Sequence, residues 1–200
     1  MARRTGAIGD MVKAGYVRYI GLSEVGAATI RRAAAVHSIC DLQIEYSLIS
    51  RGIEAGILAV CREQGIGISA YGVLSRGLIS GHWRPNRQSG AGDFRAHSPR
   101  FNAANLGGNL ALVEALRHVA TSKGISVAQL AIAWVLGQGN DIVPLIGARR
   151  RDQLREALGA LEVHLTAEDL TRIGRAVPRG AAAGERYPAP AMKQLDSERT

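Results

Sequence analysis

The feature that most constrains this chain is a regular alternation between short β-rich runs and segments with helical spacing. Four runs stand out: Arg-Tyr-Ile-Gly-Leu-Ser (18–23), Leu-Gln-Ile-Glu-Tyr-Ser (42–47), Gly-Ile-Gly-Ile-Ser-Ala-Tyr (65–71) and Ile-Val-Pro-Leu-Ile-Gly (142–147). Each has the length of a single strand. Between them, residues 28–36 and 53–64 place apolar side chains at helical intervals. Strand and helix in alternation predict an α/β fold in which crossover helices join parallel strands. Helix boundaries are legible from capping chemistry. Ser126 and Gln129 have the spacing of a capping box, and Thr166 with Asp169 starts the last helix in the same way. Gly15, just past Lys13, suits a glycine stop before the first strand. The apolar stretch 130–136 is too short to cross a bilayer and reads as a buried helix.

Two regions break the rhythm. Residues 80–105 carry prolines, glycines and charges without a period, yet hold Trp83, Phe94 and Phe101, three of the four Trp and Phe residues. A solvated linker has no use for them, so this segment is expected to be a lid-like loop over a pocket rather than a disordered excursion. Residues 177–200 form a tail rich in Ala, Gly and Pro, a poor candidate for a core element, with Tyr187 and Pro188 as possible anchors to the surface. The main body is expected to be 1–176.

Composition removes several function classes. With 46% hydrophobic and 21% charged residues, the 200-residue chain is an ordinary globular sequence. No apolar stretch follows Arg3 and Arg4 to complete a signal peptide, so a cytoplasmic location is expected, with no membrane partner. Cys40 and Cys61 lack any metal-ligand spacing and read as buried free thiols, so no metal is expected. The net charge of +8 invites a nucleic-acid reading, but the arginines are scattered, aromatics are only 4%, and no nucleic-acid motif is present. A few of those arginines serve a mononucleotide phosphate equally well, and no nucleic-acid partner is expected.

The segments 13–24, 42–48, 70–77 and 144–161, in that order and spacing, resemble the C-terminal half of an aldo-keto reductase, from strand five to strand eight. The resemblance implies a partial (β/α)8 TIM barrel of four β/α units, half of a fold that takes about 250 residues. It also implies NADP(H) as cofactor and a small carbonyl compound as substrate in the full-length family. The family's Asp, Tyr, Lys and His tetrad belongs to the first four strands, and nothing here matches it, so no catalytic residue is assigned. His37, His82, His97, His118 and His164 fall in helices or loops and read as surface or packing residues.

What transfers residue by residue is the cofactor site. Ser23 matches the serine that, with the residue after it, binds the nicotinamide carboxamide, and Gln43 matches the glutamine that bonds the same group; the residue after Ser23 is Glu24, where many members have Asn, and an acid has no amide N–H to donate. Tyr71 matches the ring that stacks on nicotinamide, although a strand tyrosine is otherwise most often core. Gly72, Leu74, Ser75 and Arg76 match the loop around the pyrophosphate. Gly147, Ala148 and Arg149 open a turn with Arg150 and Arg151 that is physically suited to an anion, here the adenosine 2′-phosphate; the alternative is three arginines on a solvated face. Gln153 and Glu156 match adenosine contacts, while Ala157 replaces a common Asn. Three accounts follow: an NADP(H)-dependent oxidoreductase polypeptide completed by a missing N-terminal half, a non-catalytic cofactor-binding half-barrel that self-associates through open edges and an apolar inner face, or a truncated gene product.

Overall fold

A computed structural model of the chain describes residues 2–83 and 92–198. Helix α1 (Ala2–Lys13) leads into β1 (Gly21–Ser23), α2 (Ala27–Ala34), β2 (Asp41–Glu45), α3 (Ile57–Glu63) and β3 (Gly67–Tyr71). After three short 310 helices among the described residues come α4 (Ala103–Ser122), α5 (Val127–Leu136), β4 (Ile142–Pro144), α6 (Arg151–Leu158) and α7 (Ala167–Ala176). A single turn, α8 (Ala189–Met192), lies in the tail.

The four strands form one parallel sheet whose spatial order is the order in sequence, β1-β2-β3-β4. Leu22, Leu42, Ile68 and Ile142 lie in register across it, and together with Ile44 and Ala70 they are buried. With side chains alternating along each strand, the next register row of Ser23, Gln43, Ser69 and Val143 points to the opposite face. That face is largely open: Ser23 and Gln43 are exposed and Val143 is 60% exposed. The expected apolar inner face is therefore corrected. Three of the four side chains in this row are polar, and farther down the same face Ser69 Oγ donates to Asp41 Oδ1 at 2.9 Å.

Behind the sheet, α5 supplies the densest part of the core, with eight of its ten residues buried. Its run Val-Ala-Gln-Leu-Ala-Ile-Ala-Trp-Val-Leu is apolar almost all round, as a helix covered on most sides must be. The expected capping box holds it: Gln129 N–H donates to Ser126 Oγ at 3.2 Å and Ser126 N–H to Gln129 Oε1 at 3.0 Å. Thr166 and Asp169 cap α7 in the same way, and Lys123 reaches Asp169 at 2.7 Å, tying α4 to α7. The Lys123 ammonium, with the cap's own donors, pulls the Asp169 carboxyl down to about 2. Gly15 adopts φ 80°, and the bonds from Gly15 N–H to Val12 O and Tyr16 N–H to Met11 O close α1. No single helix among the described residues is long and apolar enough to cross a membrane.

Three expectations need correction or restriction. Cys61 is buried, and burial pushes its thiol up to about 11, but Cys40, in the loop just before β2, is exposed. The tail is not peripheral: Arg186 is only 6% exposed, and residues up to Glu198 pack on the C-terminal ends of β1 and β2. In the loop 80–105, residues 84–91 lie outside the described residues. Part of the remainder is packed, with the Trp83 and Phe101 rings 4.9 Å apart and Arg100 buried, donating to Ile49 O at 2.9 Å and Ser50 Oγ at 2.8 Å, while Phe94 is 49% exposed.

Candidate functional site

Parallel sheets expose functional groups at the carboxyl ends of their strands. Here those ends carry the backbone irregularities. Glu24, Ser75 and Arg76 are the only non-glycine residues with positive φ among the described residues, at 50°, 45° and 58°, and all three follow β1 or β3. Each such conformation costs about 1–3 kcal/mol and persists only where the surroundings dictate it. Gly72, the first residue after β3, has φ 69°, and a Cβ there would meet Glu45 Cγ at 2.9 Å. The chain thus turns sharply over Glu45 before running on to Gly77.

A cleft of about 1300 Å³ begins at Tyr71, follows this turn, and ends at the start of α6. Its far end is cationic. Gln153 Oε1 accepts the N–H groups of Arg149 at 3.0 Å and Arg150 at 3.2 Å, so one side chain fixes the turn into the helix. Arg150 pairs with Asp152 at 2.8 Å, while Arg149 and Arg151 have no carboxylate partner among the described residues. His82, on the opposite wall, meets Glu156 of α6 at 3.0 Å and bridges the two sides.

At the sheet end the side chains form a buried ionic network. Glu24 Oε1 accepts the Glu45 N–H at 3.0 Å, the Tyr71 hydroxyl at 2.7 Å and Arg186 Nη1 at 3.1 Å. Its Oε2 accepts Arg186 Nη2 and Ser197 Oγ, both from the tail. Burial alone raises the Glu24 carboxyl, but donation from Arg186, Tyr71 and Ser197 outweighs it and leaves the group below its ordinary value. The same partners act oppositely on Tyr71, whose phenol is pushed far up by burial and by donating to Glu24. Glu45, with no exposed side-chain surface, has Arg100 at 3.5 Å and both Arg76 and Arg186 at 3.6 Å. Tyr187 caps the group: its hydroxyl is 3.1 Å from that of Tyr71, and the Arg76 guanidinium lies 4.6 Å from its ring centre.

The network has a predictable pH response. Because folded Glu24 titrates below its unfolded value of about 4.5, its contribution to stability is complete above that pH and is lost as pH falls through the lower folded value. Hydrogen exchange of the tail amides is expected to be unchanged between pH 7 and about 5, after correction for intrinsic rates, and to accelerate only as pH falls below the ordinary Glu24 value of 4.5.

Of the twelve cofactor residues expected from the sequence, Tyr71, Gly72, Leu74, Arg76, Gly147, Arg149, Gln153 and Glu156 line the cleft. Ala148 is exposed within the same turn. Ser75 is fully buried and its Oγ accepts Arg100 Nη1 at 3.3 Å, so its side chain faces inward. Ser23 and Gln43 stand together on the open face of the sheet, outside the cleft lining. Glu24 takes part through the tail. Sequence reasoning missed Arg186 and gave Tyr187 only the part of a surface anchor, although an acid at position 24 in place of an amide was the signal that a cation had to be found nearby.

Known proteins resemble this chain in sequence and in fold. Over 193 residues the chain is 42% identical to the aldo-keto reductase yakc [NADP(+)] of Schizosaccharomyces pombe, covering 95% of this chain and 57% of that protein. It is 44% identical over 182 residues to probable aldo-keto reductase 1 of Glycine max, covering 91% of this chain and 52% of the relative. The chain therefore spans about half the length of the curated relatives it matches. Among solved structures, the glycerol dehydrogenase of Gluconobacter oxydans superposes with a TM-score of 0.81 at 26% identity, covering 89% of this chain and 55% of that one. A thermostable aldo-keto reductase solved with the inhibitor epalrestat shares the fold, with a TM-score of 0.66 at 23% identity, over 88% of this chain and 54% of that one. The sequence profile of the Aldo/keto reductase family matches residues 3–177, and the chain belongs to that family.

Proposed function

We propose that this chain is the NADP(H)-binding half of an aldo-keto reductase, four β/α units of the barrel's C-terminal side, serving carbonyl reduction or alcohol oxidation. The observation that carries the reading is the continuous cleft from Tyr71 to the α6 turn, with Tyr71, the β3 loop and Arg149 along its length. Sequential strand order with one open face agrees with a barrel opened along its length. The donor set fits a phosphorylated dinucleotide. Among the described residues, Arg149 and Arg151 stand without carboxylate partners at a helix start, and Arg76 Nη1 is buried without a hydrogen bond on the loop beside the cleft.

When bound, NADPH supplies a hydride to a carbonyl carbon. The chain's own residues bind and orient: Tyr71 offers a ring held in place by its hydroxyl bonds, Arg76 and the β3 loop neutralise charge, and Arg149 with the turn of α6 reads the phosphate on the ribose. Glu156 takes the adenosine side in place of its His82 contact. No residue of this chain is assigned as proton donor, a contribution typically of about 10²–10⁴-fold. The four first strands of the family barrel, with the tetrad, are the complement we assign to the open face and to the two sheet edges. A second copy of this half-barrel on that face gives a cofactor-binding assembly without chemistry, the alternative reading.

The test is charge reversal at the turn. Arg149→Glu combined with Arg151→Glu is expected to weaken NADPH binding by about 100-fold, while NADH binding falls much less, since only the former carries the extra phosphate. Equal losses for both cofactors contradict the assignment of this turn.

A further inference from the structure

The family match ends at residue 177, and the site does not. Arg186 and Tyr187, from the segment beyond the match, reach three structures that face the cleft. Through Glu24, Arg186 is linked to the hydroxyl of Tyr71, and its own Nη1 lies 3.3 Å from that hydroxyl. Tyr187 lies in the cleft lining, with its hydroxyl 3.1 Å from the Tyr71 hydroxyl. The Arg76 guanidinium is flanked by two rings, Tyr187 at 4.6 Å and Phe94 at 5.5 Å, and the Phe94 and Tyr187 rings are themselves 6.4 Å apart. Phe94 belongs to the loop 80–105, so one tail residue joins the sheet end, the β3 turn and that loop.

The tail is held by charge rather than by apolar packing. Arg186 has 8% of its side chain exposed and donates to Glu24, Glu198 and Ser197, a fork whose geometry lysine does not reproduce. Glu24 also holds a left-handed backbone conformation at φ 50°. Its strained position is what brings the carboxylate to Tyr71 and Arg186 together.

From this we infer that Arg186 is a positioning residue for the cofactor site: by clamping Glu24 it fixes the Tyr71 ring and seats Tyr187 on Arg76, so the tail forms the sheet-end wall of the cleft and its docking is thermodynamically linked to NADPH binding. The inference rests on the proposed cofactor reading. Linkage is reciprocal: if docking strengthens binding, binding must protect the tail by the same factor.

The experiment uses the full chain. NADPH affinity and the change in NADPH's own emission on binding are measured for wild type, Arg186→Lys, Arg186→Gln and Tyr187→Ala, alongside hydrogen exchange of residues 179–198 with and without NADPH. Tyr187→Ala leaves the Glu24 clamp intact and so remains informative if Arg186→Gln fails to fold. We expect Tyr187→Ala and Arg186→Gln to weaken NADPH binding by about tenfold and to diminish the emission change, with Arg186→Lys recovering part of both. Wild-type tail exchange slows when NADPH is added. Variants whose tails exchange freely while NADPH binds as in wild type overturn the inference and leave the cofactor reading standing. A folded wild-type chain that binds no NADPH overturns the cofactor reading, and this inference with it.

Discussion

Replacing Arg186 with alanine is expected to cost about 3–5 kcal/mol of folding stability, because it leaves buried carboxylates without their cation. Arg186 donates to Glu24 and lies 3.6 Å from Glu45, whose side chain has no exposed surface. Arg76 and Arg100 remain near Glu45, but among the described residues Arg186 is the guanidinium that donates to Glu24. Removing Glu24 together with the arginine, in Glu24→Gln with Arg186→Gln, is expected to cost less than the single alanine change, since Glu24 is then not left without its cation while Arg76 and Arg100 still face Glu45. Urea unfolding followed by circular dichroism measures each. A loss under about 1 kcal/mol for Arg186→Ala would mean that the tail clamp is an ordinary surface ion pair.

Gly72→Val is expected to destabilise the chain by about 3 kcal/mol or more and to abolish cofactor binding. Two effects add: a β-branched residue is strained at φ 69°, and its Cβ meets Glu45 Cγ at 2.9 Å. Glu45 has little room to retreat, because Ser50 holds its Oε1 at 2.8 Å and Arg100 lies beyond. The β3 turn must then open, which moves Leu74 and Arg76 away from the cleft. Gly67→Ala is the control, with its nearest contact at 3.5 Å and no positive φ. A stability loss of the same size there would show that strand packing, not the turn, is responsible.

The strands were legible because each buried face needs Leu, Ile or Ala at alternate positions, and Leu22, Leu42, Ile68 and Ile142 supply them in register. Capping was legible because it is local: Ser126 with Gln129 and Thr166 with Asp169 form their bonds within one turn. Helix α4 was not, since Gly107, Gly108 and Asn109 blur its apolar stripe and its ties are distant, as when Asn109 Nδ2 donates to Ala183 O at 2.9 Å. The tail was hidden for the same reason. Most of its residues are small, and its attachment depends on Arg186 and Tyr187 finding Glu24, Arg76 and Tyr71 more than a hundred positions away. The polar character of the open face was readable in Ser23, Gln43 and Ser69, but the expectation of an apolar inner face took precedence over the residues themselves.

The central claim is that this chain, by itself, holds the phosphorylated cofactor in the cleft between the β3 turn and α6. The most direct test is a titration of the purified 200-residue chain with NADPH, following protein fluorescence, with NADH as control. Saturable binding that favours NADPH by about tenfold or more is the result this account predicts. A folded chain that binds neither, or binds both with equal affinity, would contradict it.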